Sequence, residues 1–175
     1  MEKVLVTGGA GFIGSHLVAK LCESDKQIVV LDNSWRGSLE NLGEYKERIK
    51  FVEGDIRDYS IVKKAMDGVD TVFHLASIQG TKFFYTHPDL ILEVGLIGNL
   101  NVAKALVENN VKRLLFTSSS EVYGNPRELP IREESVKGPV SAYGVSKLAA
   151  EIYAQAYNQE FGANIKIARF FNVYG

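Results

Sequence analysis

Cysteine is nearly missing from this chain: Cys22 is the single one in 175 residues. A lone cysteine cannot close an internal disulfide, which excludes a disulfide-framed scaffold and suits a reducing compartment. Histidine is sparse too. His16, His74 and His87 are scattered without metal-ligand spacing, so no metal is expected. An excess of one charge sign is also missing, with 20 Lys+Arg against 21 Asp+Glu and a net charge of −1. Without a basic patch or long charge run, nucleic acid and anionic membrane surfaces are not expected partners. No uninterrupted apolar run approaches the ~20 residues of a membrane span. The opening Met-Glu-Lys-Val-Leu-Val enters a strand pattern at once, so no signal peptide is expected. Repeats, linkers and low-complexity segments are absent. What is present is an apolar content of 46%, enough to give one compact domain a sizeable core. The expectation is a soluble, cytoplasmic globular domain.

Strand-like and helix-period segments alternate. Val4–Val6, Ile28–Leu31, Ile49–Val52, Thr71–Leu75, Leu114–Phe116 and Ile165–Phe170 read as strands. Apolar runs without alternation are strands covered on both faces. Phe12–Cys22 reads as a helix with Ile13, Leu17 and Leu21 on its buried face, and Tyr59–Met66 as a short one. Asp89–Glu108 is a long helix with Leu96, Leu100, Ala103 and Val107 as its stripe; Ser141–Phe161 is another, apolar at Val145, Leu148, Ala149, Ile152 and Ala156. The alternation predicts an α/β fold, a doubly wound parallel sheet of Rossmann type with strand order 3-2-1-4-5-6. The polar stretch Gly124–Gly138 holds Pro126 and Pro130, with Pro139 just after, and reads as a loop.

The segment TGGAGFIG, Thr7–Gly14, contains two glycine patterns. Gly9, Gly11 and Gly14 spell G-x-G-x-x-G; Gly8, Gly11 and Gly14 spell G-x-x-G-x-x-G. The loop follows the first strand and opens the first helix, the context a dinucleotide motif requires. Glycine permits a tight turn and lets backbone N–H groups approach a pyrophosphate, while the helix N-terminus adds partial positive charge. Gly8, Gly11, Phe12, Ile13 and Gly14 are therefore candidate cofactor contacts. Asp32 ends the second strand, 18 residues after Gly14, where a carboxylate can accept hydrogen bonds from an adenosine ribose. It would repel a 2′-phosphate, which favours NAD over NADP; Arg36 is a nearby cation that works against that preference. Asn33 follows in the same turn, and Trp35 is either a cover for the adenosine or an anchor for its loop. With that strand order, Asp55 and Ile56 are candidates for the adenine edge, Asp55 being otherwise a strand-end turn residue, and Leu75 and Ala76 are candidate cofactor contacts at the end of the fourth strand.

Ser141-Ala-Tyr-Gly-Val-Ser-Lys147 places Tyr143 and Lys147 four residues apart at the start of a helix, on one face. A tyrosine ionises near pH 10, but a neighbouring ammonium favours the phenolate. Such a pair can take a proton from an alcohol while hydride leaves its carbon. Thr117-Ser-Ser-Ser-Glu-Val-Tyr-Gly124 follows the fifth strand, at the sheet edge where ligands gather. Its hydroxyls either serve a substrate oxygen or cap their own turn.

Together, TGGAGFIG, Asp32, SSSEVYG, YGVSK and RFFNVYG resemble the extended short-chain dehydrogenase/reductase family, in its nucleotide-sugar epimerase/dehydratase branch. The resemblance covers essentially all 175 residues. It implies the Gly8, Gly11, Gly14 register, with Thr7 ahead of it and Gly9 secondary. It implies NAD as cofactor, Tyr143 as base, Lys147 on the ribose, Ser119 as hydroxyl partner and Asn172 near the phosphates of a nucleotide-sugar substrate. The reaction implied is redox-neutral: hydride leaves a sugar carbon, often C4, and returns after the keto sugar rotates, loses water or loses CO2.

Glu121 bears on which branch member this is. The 4,6-dehydratases carry an adjacent Asp-Glu pair; here the pair is Ser120-Glu121, which resembles UDP-glucuronate decarboxylases and several epimerase-like members. Glu121 is either a fourth catalytic group or a loop carboxylate. A second departure is Gly95, where the family often carries an asparagine that organises the lysine. Ser77–His87 follows the fourth strand and is expected near the nicotinamide and sugar, with Phe83 and Phe84 as substrate contacts or core. Family members carry a further C-terminal region that roofs the sugar. The expectation is therefore an NAD-binding domain over 1–175, without the sugar-binding domain, from an enzyme that is a homodimer at full length.

Overall fold

The first strand, β1 (Glu2–Thr7), shows how the sheet is covered. Val4 and Val6 pack with Val18 and Cys22, while Leu5 between them packs with Val62, Val94 and Leu106 on the opposite face. Side chains alternate across a strand, so an unbroken apolar run must bury both faces. The computed structural model describes residues 1–174. Gly175, which ends RFFNVYG, lies outside the described residues.

The remaining strands are β2 (Lys26–Asp32), β3 (Lys50–Glu53), β4 (Thr71–His74), β5 (Arg113–Ser119) and β6 (Ile165–Phe170). All neighbours are parallel, in the order β3-β2-β1-β4-β5-β6. The expected Rossmann-type order is therefore what the chain adopts. Register aligns Thr7 with Leu31 and with His74, and Ser119 with Phe170. These carboxyl-end residues share one edge, and the order reverses between β1 and β4, where such sheets bind ligands.

The helices are α1 (Phe12–Cys22), α2 (Tyr59–Ala65), α3 (Thr81–Thr86), α4 (Pro88–Glu93), α5 (Asn99–Glu108) and α6 (Ala142–Phe161), with a 3₁₀ segment at Leu39–Arg48. Three stripes differ from the sequence reading. On α1 the buried residues are Gly14, Ser15, Val18 and Cys22, with Ile13, Leu17 and Leu21 flanking. The helix start sits so close to the glycine loop that only small residues face it.

α4 and α5 form one run, Pro88–Glu108, through a π-turn at Val94–Gly98. The wider turn shifts the face: Val94, Gly98, Val102, Ala105 and Leu106 are buried together with Ala103 of the expected stripe, while Leu96 and Val107 are half-buried and Leu100 is exposed. The run is 21 residues with mean hydropathy 1.6, long and apolar enough to cross a membrane, and half of it is buried in the protein. On α6 the reading inverts: Tyr143, Ser146, Lys147, Ala150 and Glu151 are buried, while Val145 and Ile152 are exposed. Periodicity identified the helix, but polar groups occupy its inward face because the site lies there.

Candidate active site

A groove of about 700 Å³ runs along the carboxyl edge of the sheet, from Asp55 and Ile56 at one end to Ser119, Tyr143 and Lys147 at the other. Gly8, Gly11, Phe12, Ile13, Gly14, Asp32, Asn33, Leu75 and Ala76 line it between those ends. Of the predicted residues, Glu121 and Asn172 do not line it. Phe171 and Val173, on either side of Asn172, do.

The glycine loop is shaped by the fold at some positions and left open at another. Gly8 has φ +70° and lies where a Cβ would come 2.7 Å from the Ala76 nitrogen. A Cβ on Gly14 would run into the Gly8 carbonyl oxygen. Gly11 is freer, its nearest neighbour being that same oxygen at 3.2 Å, and it faces the groove. Gly9 lies off the groove, and its Cβ would meet the Val30 side chain at 2.8 Å.

Asp32 is buried, and its carboxylate accepts from the Ala10 N–H at 3.0 Å and the Ser34 N–H at 2.9 Å. It organises the loop it was predicted to face, and each oxygen keeps a lone pair for a ribose hydroxyl. At the adenine end Asp55 is engaged by Arg57 and by the Asn33 amide at 3.0 Å. Burial pushes its carboxyl up, but those hydrogen bonds outweigh it and hold the carboxyl below the usual range. Arg57 also reaches Glu93 at 2.8 Å, a pair that no local pattern of residues marks.

A strap crosses the groove mouth. Ser38 N–H and the Asn41 amide both donate to the Ala10 carbonyl, at 3.1 and 2.8 Å, pinning the loop after β2 onto the glycine loop. From that loop Trp35 packs on Phe83 of α3 with ring centroids 5.0 Å apart, and the Arg36 guanidinium lies 5.2 Å over the same ring. Phe84 stacks on Tyr143 at 5.1 Å. Both phenylalanines belong to the mouth and to the core edge at once.

At the far end, Tyr143 and Lys147 share the buried face of α6. Lys147 Nζ donates to the Thr117 carbonyl at 2.7 Å and lies 5.5 Å from the Tyr143 ring centre. Burial pushes the Lys147 ammonium down to about 7. Burial also pushes the Tyr143 phenol up to about 12; the Ser119 and Ser77 hydroxyls beside it oppose that rise, and the Glu121 charge adds to it. The phenol is therefore not lowered as expected from the neighbouring lysine, because desolvation disfavours both charged forms. Ser77 is a neighbour that sequence reasoning did not single out.

Ser119 Oγ caps the turn Ser120–Tyr123 by accepting from the Glu121 N–H at 3.2 Å. The Glu121 carboxylate accepts from Ser141 Oγ at 3.2 Å, and Ser141 caps α6 by accepting from the Gly144 N–H at 3.0 Å. Glu121 therefore braces the start of the helix that carries Tyr143. Gly95 has a physical reason: Ser146 of α6 sits where its Cβ would be. Asn99, one turn on, donates to the Gly95 carbonyl and accepts from His74 Nε2 at 2.6 Å. His74 Nδ1 then accepts a hydrogen bond from the Thr7 hydroxyl at 2.5 Å, and Thr7 Oγ1 accepts from the Ala76 N–H at 3.3 Å. Among the described residues no His/Cys/Asp/Glu group is arranged to hold a metal.

The groove fits a dinucleotide: a backbone cradle that a Cβ at Gly8 would fill, a helix N-terminus, and a carboxylate at the end of β2. Comparison with known proteins agrees. Residues 4–175 match the NAD dependent epimerase/dehydratase family. A putative UDP-glucose 4-epimerase of Methanocaldococcus jannaschii is 36% identical over 98% of this chain and 56% of its own length. UDP-glucuronic acid decarboxylase 3 of Arabidopsis thaliana is 38% identical over 99% of this chain and 51% of its own. The crystal structure of a dTDP-glucose 4,6-dehydratase from Streptomyces venezuelae with NAD bound superposes with a TM-score of 0.92 at 32% identity, over 99% of this chain and 56% of that one. The chain thus spans about half the length of these relatives. Groove, glycine loop and match lead to one conclusion: the chain belongs to the NAD-dependent epimerase/dehydratase family, with NAD as its cofactor.

Proposed function

We propose that this chain is the cofactor-binding half of a nucleotide-sugar epimerase of the 4-epimerase type. The observation that carries the reading is the gathering of Ser119, Tyr143 and Lys147 on one wall of the dinucleotide groove. Gly8, Gly11 and the start of α1 hold the pyrophosphate on backbone N–H groups, and Asp32 holds the adenosine ribose. Bound NAD supplies a reversible hydride acceptor. Tyr143 takes the proton of the sugar hydroxyl, and Ser119 hydrogen-bonds the same oxygen. With its pKa near neutrality, Lys147 is poised to gain charge beside the ribose and draw the phenol down. The phosphates of the nucleotide sugar lie toward Asn172, and the sugar is roofed by chain that the longer relatives possess.

The relatives include decarboxylases and dehydratases as well as epimerases. Glu121 favours the epimerase reading over dehydration, since Ser120 stands beside it and its carboxylate is spent on Ser141. A non-catalytic NAD sensor would have no use for a buried lysine and tyrosine on the groove wall. The exposed Val145 and Ile152 of α6, with the exposed Ile97 and Leu100 of the Pro88–Glu108 helix run, suit a homodimer face. The reading is tested by offering UDP-, dTDP-, GDP- and CDP-sugars with NAD to protein carrying this chain and following products by NMR. Conversion that is lost in Tyr143→Phe supports it; no conversion, or equal conversion by the variant, overturns it.

A further inference from the structure

Glu151 is 1% exposed and is not part of the groove. It lies one turn beyond Lys147 and two beyond Tyr143, on the same buried face of α6. Ser118 Oγ donates to its Oε1 at 2.5 Å. Arg169 grips it with two bonds, Nε to Oε1 at 2.8 Å and Nη2 to Oε2 at 2.7 Å. Ser118 and Arg169 are register partners on β5 and β6. One carboxylate on the helix therefore fastens both strands, one residue before Ser119 and Phe170. Arg169 also donates from Nη1 to the Tyr123 hydroxyl and the Glu133 carbonyl, each at 2.6 Å, tying down the turn and loop after Ser119.

Packing alone does not require this arrangement. A buried ion pair seldom stabilises more than apolar residues of the same volume, so its presence here asks for a reason. The reason lies in what it joins. Lys147 holds Thr117 and Glu151 holds Ser118, so successive helix turns grip successive residues of β5 immediately before Ser119. Two fixed points set both the slide and the rotation of α6 against the strand end, which sets where the Tyr143 hydroxyl meets the Ser119 hydroxyl. Other groups around Glu151 are Lys137, whose charge also favours the carboxylate, and the Tyr123 phenol beside Arg169.

We infer that Glu151 and Arg169 are positioning residues that act through Ser118 to hold Tyr143 against Ser119. The inference rests on the proposed roles of those two groups, but its test reads geometry and not turnover. The probe is the 13Cζ resonance of Tyr143, labelled with [13Cζ]tyrosine, assigned by its loss in Tyr143→Phe, and recorded at pH 8 with NAD present. Glu151→Gln and Ser118→Ala are compared with Val62→Ala, a core change in α2 that lowers stability away from the network. A resolved displacement of the Tyr143 resonance in both network variants is expected, larger in Glu151→Gln, with NAD affinity within about twofold of the parent. Val62→Ala leaves the resonance in place. If Glu151→Gln does not fold, Ser118→Ala decides alone, since it removes one hydrogen bond and no charge. An unmoved resonance in the folded network variants, or equal movement in Val62→Ala, overturns the inference. Failure of Tyr143 as base would appear elsewhere, as undiminished conversion by Tyr143→Phe.

Discussion

At the glycine-loop end of the groove the ligand-facing surface is backbone, shaped by residues too small to fill it; at the Tyr143 end it is side chain, held by contacts between residues far apart in sequence. Gly8 and Gly14 bring chain against chain so that Gly11 can face the groove unobstructed. Tyr143 and Lys147 instead depend on Thr117, Ser119 and Ser77, which arrive from two other strand ends. The contrast teaches that binding and chemistry are separable here. A substitution at one end should leave the other nearly intact.

The sharpest break is Tyr143→Phe. Removing a general base typically costs about 10²–10⁴-fold in turnover. The expected outcome is a loss of that size in nucleotide-sugar conversion, with NAD affinity by titration changed by less than about twofold. A matching loss of NAD affinity would show that the two ends are not separate.

At the other end, Gly14→Ala and Gly11→Ala divide fold from ligand. The alanine methyl at 14 meets a carbonyl oxygen that cannot retreat, and overpacking of this kind costs about 3 kcal/mol. Urea unfolding should show that loss for Gly14→Ala. Gly11→Ala should keep stability within about 1 kcal/mol and weaken NAD about tenfold. Gly9→Ala should do the reverse of Gly11→Ala, losing stability against Val30 while weakening NAD less than changes at Gly8 or Gly11.

This division also explains what could be read from the sequence. Strand order follows from the alternation of elements, the glycine register from family likeness and the Tyr143–Lys147 pairing from helical spacing. The sheet has that order, Gly8, Gly11 and Gly14 line the groove, and Tyr143 and Lys147 share a buried face. The inward face of α6 was misread because hydrophobic periodicity assumes that buried means apolar, while Lys147 and Glu151 are buried with polar partners, Thr117, Ser118 and Arg169. The stripe on Pro88–Glu108 holds at Ala103 and fails at Leu100, because a π-turn, which leaves no compositional mark, rotates the face. Asn172 is placed by motif likeness; at and past the end of β6, Phe170, Phe171 and Val173 line the groove and Asn172 does not. The segment Ser77–His87 was expected at the site, but the Ser77–Tyr143 contact, Arg57 and the Glu151–Arg169 pair depend on tertiary juxtaposition.

Between the two ends lies His74, whose pH response offers a smaller test. Burial lowers its pKa to about 4; the Asn99 hydrogen bond opposes this and the Lys147 charge adds to it. Unfolded, the imidazole takes a proton near 6.5, so between pH 6.5 and 4 the unfolded chain binds more protons than the folded one. Stability therefore falls as pH drops through that window, by roughly 2–3 kcal/mol in all from this group. His74→Gln should lose that part of the slope whatever its baseline stability, as melting temperatures at stepped pH will show. An unchanged slope would assign the acid sensitivity to carboxylates instead.

The smallest expected effect belongs to the strap, which covers the groove without contacting the chemistry. Trp35 and Phe83 join the loop after β2 to α3, and the pair must part for a bound dinucleotide to leave if the strap closes over it. An aromatic pair contributes about 1 kcal/mol beyond its burial. Trp35→Ala should then raise the NAD dissociation rate about fivefold, with less change in association, since affinity differences within one interface reside mainly in the off-rate. Stopped-flow displacement of a fluorescent NAD analogue reads both rates. Tyr143→Phe in the same assay should leave the off-rate alone, because Phe84 can stack on either ring. An off-rate that responds to Tyr143 and ignores Trp35 would move the gate from the strap to the catalytic end, and the separation between the two ends of the groove would fail there.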